Sequence, residues 1–165
     1  MKIALKIISI ILILNACNST KKLIITNSPK QIKKELVGTW DFEILHDENG
    51  NKIDTIWHSF GQEIPEGPLI TLNEDGTYTE QFTPENIDSG KWYFDEENQT
   101  IVYLLYYYKP YNFAAQELIK RGHAKQDENG DYFEKITRKV FKYSESKLTL
   151  LERGNRRRTF KKKNE

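Results

Sequence analysis

The chain holds one cysteine, Cys17, in 165 residues, which excludes an internal disulfide and any site built from several cysteines. Its three histidines, His46, His58 and His123, lack the close spacing of a metal centre, so neither metal nor cofactor is expected. The formal net charge is only +1 at pH 7, so no global field selects a polyanionic partner. Long apolar runs are also missing: the segment Ile7 to Leu14 falls well short of the roughly 20 residues needed to cross a bilayer. There is no Gly-x-Ser-x-Gly elbow and no phosphate-cradling glycine loop, and Gly67-Pro68 has no neighbouring nucleophile. Glu43 with Asp47 and Glu48, and Glu96 with Glu97, form acidic groups at turns, where charge is simply solvated. No catalytic residues are expected, and the chain does not read as an enzyme.

What is present begins at the N-terminus. Lys2 and Lys6 form a basic patch, Ile7 to Leu14 an apolar stretch, and Leu14-Asn15-Ala16-Cys17 a lipobox-like cleavage site. Residues 1–16 therefore read as a lipoprotein signal peptide. Cys17 is the expected lipidation site, because a thiolate can take a diacylglyceryl thioether before cleavage frees its amine for another acyl chain such as palmitate. Two or three chains make a stable membrane anchor where one would not. Loss of Lys2 and Lys6 leaves the mature chain close to neutral. Residues 17–27 then form a polar tether and residues 28–165 one domain. Asn18 follows the cysteine and Ser19-Thr20-Lys21-Lys22 carries no acidic cluster. Together these favour the bacterial cell envelope, on the outer membrane facing the periplasm.

Ser28, Pro29 and Gln31 have the form of an N-cap, a first-turn proline and a capping-box partner, predicting a helix from Pro29 to Leu36 stopped by Gly38. From Gly38 the period changes to two: Trp40, Phe42 and Ile44 alternate with Thr39, Asp41 and Glu43. Asn49-Gly50 predicts a hairpin returning a strand from Lys52 to Trp57 onto the first, with Gly61 to Pro68 as a loop. Further strands are predicted at Leu69 to Leu72, Thr77 to Phe82, Lys91 to Phe94 and Thr100 to Tyr108. Their turns are Asp75-Gly76, Asp88-Ser89-Gly90 and Glu96 to Asn98. A short helix is expected over Asn112 to Arg121, then strands at Tyr132 to Tyr143, Lys147 to Leu151 and Arg156 to Lys162. Aromatic residues make up 12% of the chain, which suits strands. Some eight or nine antiparallel strands with short connections predict an all-β, up-and-down barrel, since closure removes exposed edges.

Leu36-Val37-Gly38-Thr39-Trp40, opening the first strand, resembles the Gly-x-Trp signature of the lipocalin and calycin superfamily. Asn73 to Tyr78, Ser89-Gly90-Lys91-Trp92 and Lys147 to Leu150 extend the likeness to the small lipocalin-like domains of bacterial lipoproteins. The resemblance implies a barrel whose Trp40, with Gly38, plugs one end beneath an arginine from the last strand. Arg156, Arg157 and Arg158 are the candidates, and alternation turns Arg156 and Arg158 to one face and Arg157 to the other. It also implies a lumen able to hold one small hydrophobic ligand. Lining candidates are Trp57, Tyr78, Phe82, Trp92, Tyr103 and Tyr107.

Two readings stand for Thr100 to Tyr108, where both faces are apolar. One lines a lumen on one side and lies under the Asn112 to Arg121 helix on the other; the alternative is an aromatic core strand with no cavity. The functional readings divide likewise, between a ligand-binding barrel and a structural or protein-interaction module filled by side chains. The basic run Arg156 to Lys163 favours contact with anionic lipid head groups or a plain solvated strand; export leaves no nucleic acid partner.

Overall fold

Antiparallel pairing closes eight strands of this chain into a barrel in a computed structural model, which describes residues 31–164. Cys17, the expected signal peptide over residues 1–16 and the expected tether over residues 17–27 lie outside the described residues. The strands are β1 (Gly38–His46), β2 (Ile56–His58), β3 (Gly61–Glu63), β4 (Leu69–Leu72), β5 (Thr77–Thr83), β6 (Asn86–Asp95) and β7 (Thr100–Tyr106). Helix α1 (Phe113–Lys120) follows, then β8 (Lys125–Gln126), β9 (Tyr132–Tyr143), β10 (Lys147–Leu151) and β11 (Arg157–Lys162). Around the barrel the order is β1, β4, β5, β6, β7, β9, β10, β11, and β11 pairs back onto β1. Each barrel strand thus neighbours the next in sequence, the up-and-down arrangement expected from the short connections.

Strand alternation decides which side chains fill the interior. Trp40, Ile70, Leu72, Tyr78, Trp92, Phe94, Ile101, Tyr103, Leu148 and Phe160 are buried there. Burying a large aromatic removes about 150–250 Å² from water, at ~25 cal/mol per Å², so these rings dominate the stability of the fold. Trp40 is fully buried and donates from Nε1 to the Leu36 carbonyl at 2.8 Å, plugging the end where β1 begins. Trp92 donates to the Asn73 carbonyl at 3.0 Å at the same end.

Several expectations need correction. The helix predicted from Pro29 to Leu36 is reduced, over its described part, to a 3₁₀ turn at Lys34–Leu36. Gln31 is instead bridged to Phe94, whose amide donates to the Gln31 carbonyl at 2.9 Å, and this pairing holds the backbone extended. In β1 a bulge between Phe42 and Ile44 shifts the register, so Leu45 and not Ile44 enters the core. The segment after Asn49-Gly50 touches β1 only at Lys52 and Ile53, then leaves to form a separate hairpin of β2 with β3. Gly61–Glu63, expected as loop, is the returning strand of that hairpin.

The supposed turn Asp88-Ser89-Gly90 lies inside β6, and the chain reverses at Pro84-Glu85. Gly90 is there for proximity: a Cβ would come within 1.9 Å of the Leu104 carbonyl oxygen on β7. Helix α1 forms as expected, with the Asn112 side chain accepting from the Ala115 amide at 2.8 Å. The outward Tyr106 of β7 lies against Phe133, at 5.6 Å between ring centroids, and its hydroxyl donates to Asp127 at 3.2 Å.

Gly90→Ala is expected to destabilise the protein by about 1–3 kcal/mol or more, because the obstacle is backbone and the β6–β7 pairing must shift. The neighbouring Ser89→Ala serves as control. Chemical denaturation of both variants checks this, and equal midpoints would refute the close-approach account.

Candidate functional site

The barrel ends differ because the strands carry different residues to each. At the Trp40 end, Gly38 adopts φ +132° and the stem of Lys162 passes so close that a Cβ on residue 38 would meet Lys162 Cε at 2.3 Å. This lets Lys162 reach the Trp40 ring, with Nζ 5.2 Å from the centroid. The cation over Trp40 is therefore Lys162, not one of Arg156, Arg157 and Arg158. Register explains the correction: Trp40 stands opposite Lys162, while Arg158 stands opposite Leu45 further along β1.

The alternation expected for the three arginines is observed. Arg157 turns outward, donating to the Glu48 carbonyl at 3.0 Å and lying 4.6 Å from the Phe141 ring. Arg156 and Arg158 both line a pocket of about 390 Å³ at the end of the barrel away from Trp40. Pro68, Phe82, Leu150 and Leu151 supply its apolar wall, and Arg138, Arg153, Glu80, Glu152 and Thr137 its remaining polar lining.

Two ion pairs shape this mouth. Glu80, only 4% exposed, meets Arg138 at 2.6 Å between Oε1 and Nη2. Arg158 Nε meets Glu152 Oε1 at 2.7 Å. Burial pushes the Glu80 carboxyl above the ordinary glutamate range, opposed by the Arg138 guanidinium. Burial works against the Arg138 charge in turn, but Glu80, Tyr103 and Glu152 together outweigh it and favour the charged guanidinium. The buried pair costs desolvation to form, and its members are coupled: losing one strands the other.

The six lining candidates separate. Tyr78, Trp92 and Tyr103 come together as core, each at most 2% exposed, with Tyr78 and Tyr103 edge-to-face at 4.7 Å. Among the described residues they pack into the lumen as core side chains. Tyr107 stands at the mouth, where its hydroxyl donates to Glu134 Oε2 at 2.8 Å. It also lines a second pocket of about 300 Å³ with Ile87, Asp88, Leu105 and Ala115 of α1. Phe82 is half exposed on the wall of the arginine pocket, and Trp57, 76% exposed on the β2–β3 hairpin, lines neither pocket. Glu80, Arg138 and Glu152 were not foreseen. A signal existed: β5 alternation puts Glu80 on the face of Tyr78, and β9 alternation puts Arg138 on the face of Val140. Among the described residues no group of three His, Cys, Asp or Glu side chains could hold a metal ion.

Arg138→Met leaves the Glu80 carboxylate buried without its partner, with an expected cost of about 3 kcal/mol at neutral pH. Because the folded Glu80 pKa is raised, the deficit shrinks as the pH falls through it and the carboxyl takes up a proton. Adding Glu80→Gln to Arg138→Met is expected to restore most of the stability at pH 7. Urea titrations of the single and double variants across pH check this, and additive losses would contradict the pairing.

A scan against protein-family models and a search of the curated proteins give no match. Among solved structures, a lipocalin-like protein from Bacteroides uniformis is 18% identical with a TM-score of 0.44, over 78% of this chain and 99% of that one. An uncharacterized protein from Bacteroides eggerthii is 14% identical with a TM-score of 0.44, over 77% of this chain and 98% of that one. The lipocalin-like architecture of the present chain rests on its own register: eight antiparallel strands closed up-and-down, with Gly38 and Trp40 at the sealed end.

Proposed function

We propose that the chain is a lipid-anchored lipoprotein of the bacterial envelope, probing the periplasm from the outer membrane, whose barrel is a non-enzymatic module that binds a small molecule at its mouth. The observation carrying the binding half is the division of the interior. Among the described residues the Trp40 end is sealed by buried rings, while the other end opens into a pocket of about 390 Å³ beside Arg138 and Arg158, large enough for one small guest. Any apolar part of the guest rests on Phe82, Leu150 and Leu151, so the hydrophobic ligand expected for the lumen moves outward to the mouth.

The anchoring half is supported by sequence: Lys2 and Lys6, the apolar stretch to Leu14, and the Ala16-Cys17 junction. Gln31 enters the fold beside Phe94 at the sealed end, opposite the mouth. A second reading, a protein-interaction module with a filled barrel, is favoured by the hairpin of β2 with β3. It projects Trp57, Phe60 and Ile64 into solvent, each more than 70% exposed.

Cys17→Ala is expected to move the protein from the membrane fraction to the soluble fraction of the cell; continued membrane association would overturn the anchoring. Native mass spectrometry of the full chain purified from its own envelope is expected to find a bound small molecule. A ligand-free protein, together with a specific adduct photo-crosslinked from position 60 in cells, would favour the interaction module instead.

A further inference from the structure

We infer that the mouth pocket is an anion site, taking a small organic molecule that joins a carboxylate or phosphate to a compact apolar body. The inference rests on the mouth being the binding site and names the chemical class that it takes. Four arginines, Arg138, Arg153, Arg156 and Arg158, line the pocket, against two carboxylates, Glu80 and Glu152. Both carboxylates are already engaged, by Arg138 and Arg158 respectively. Arg153 and Arg156 have no ion pair among the described residues, so the pocket carries positive charge that its own acids do not neutralise. Asp88, whose charge acts on Glu80, lines the neighbouring pocket under α1, and Glu134 is held by Tyr107.

Guanidinium geometry suits such a guest. Each group presents five N–H donors in a planar fork matched to carboxylate and phosphate oxygens, and one contact to a glutamate leaves donors over. Arg138 and Arg158 are oriented in advance by those glutamates and by neighbouring rings. Arg138 lies 5.5 Å from the Tyr103 centroid and Arg158 5.7 Å from that of Phe42. An arriving anion therefore meets two fixed cations, while Arg153 and Arg156 close on it from the β10–β11 connection. Pro68, Phe82, Leu150 and Leu151 give the pocket its apolar lining, and the Phe82 ring is half exposed. A volume of about 390 Å³ lies at the small end of ligand sites, which suits one compact molecule and not a polymer.

The test titrates the full chain in neutral detergent with benzoate, phenylphosphate, inorganic phosphate and benzyl alcohol, following the arginine Nε–Hε resonances by NMR. Benzoate or phenylphosphate is expected to shift Arg156 and Arg158 saturably, and the tighter of the two identifies the head group. Benzyl alcohol, which lacks the charge, is expected to bind about tenfold more weakly or worse. The double variant Arg153→Ala with Arg156→Ala, which removes no ion pair of the fold, is expected to weaken anion binding about tenfold or more with an unchanged Tm. Benzyl alcohol binding as tightly as the anions overturns the anion site while leaving the mouth as a binding site. Inorganic phosphate matching phenylphosphate removes the apolar half of the inference. Unchanged binding by the double variant refutes the role of its arginines, and probes that move no mouth resonance sink this inference and the binding reading together.

Discussion

Closure of the sheet, by β11 pairing with β1, is the constraint on which every other feature depends. An open sheet of this length would leave two edges able to pair with another chain, and only closure removes them. An eight-stranded barrel is also just wide enough for side chains to fill it. Once the ring is closed, each inward position faces the inward positions of all the other strands, and the sequence decides only how the enclosed space is used. Large rings consume it near Trp40; at the far end the inward positions turn to Glu80, Arg138 and Arg158, which cannot pack as rings do.

The change occurs within one inward step along a strand. Tyr78 and Glu80 are successive inward residues of β5, and on β9 Arg138 is the inward residue preceding Val140. The apolar floor beneath the charged layer has two effects. It keeps water from below, which strengthens the Glu80–Arg138 attraction, and it raises the cost of leaving either group alone. The floor is therefore part of the electrostatics of the mouth.

Much of the architecture was legible because its signals are local. Alternation marked most barrel strands, and the helical composition after Asn112 marked α1. What failed depended on partners distant in sequence. Gln31 is extended because it pairs with Phe94, and Ile44 yields the core to Leu45 because a bulge accommodates β11. Gly90 resembled a turn residue, yet its need for no side chain comes from Leu104 on the next strand. Lys162 replaces the expected arginine over Trp40 through a register that no single segment encodes. The mouth was missed for a related reason: a charge within an apolar stripe becomes a site only when the barrel brings Glu80, Arg138 and Arg158 together.

The entry of the chain into the barrel has a mechanical meaning. Gln31 joins through one bridge to Phe94, and two residues later Lys33 meets Glu96 at 2.7 Å and lies 5.7 Å from the Phe94 ring. Force applied along the preceding segment is met first by these contacts and then by the Lys34–Leu36 turn over the buried Trp40. The arginines stand at the opposite end of the strands, so a pull at the entry bears on residues that the mouth does not share.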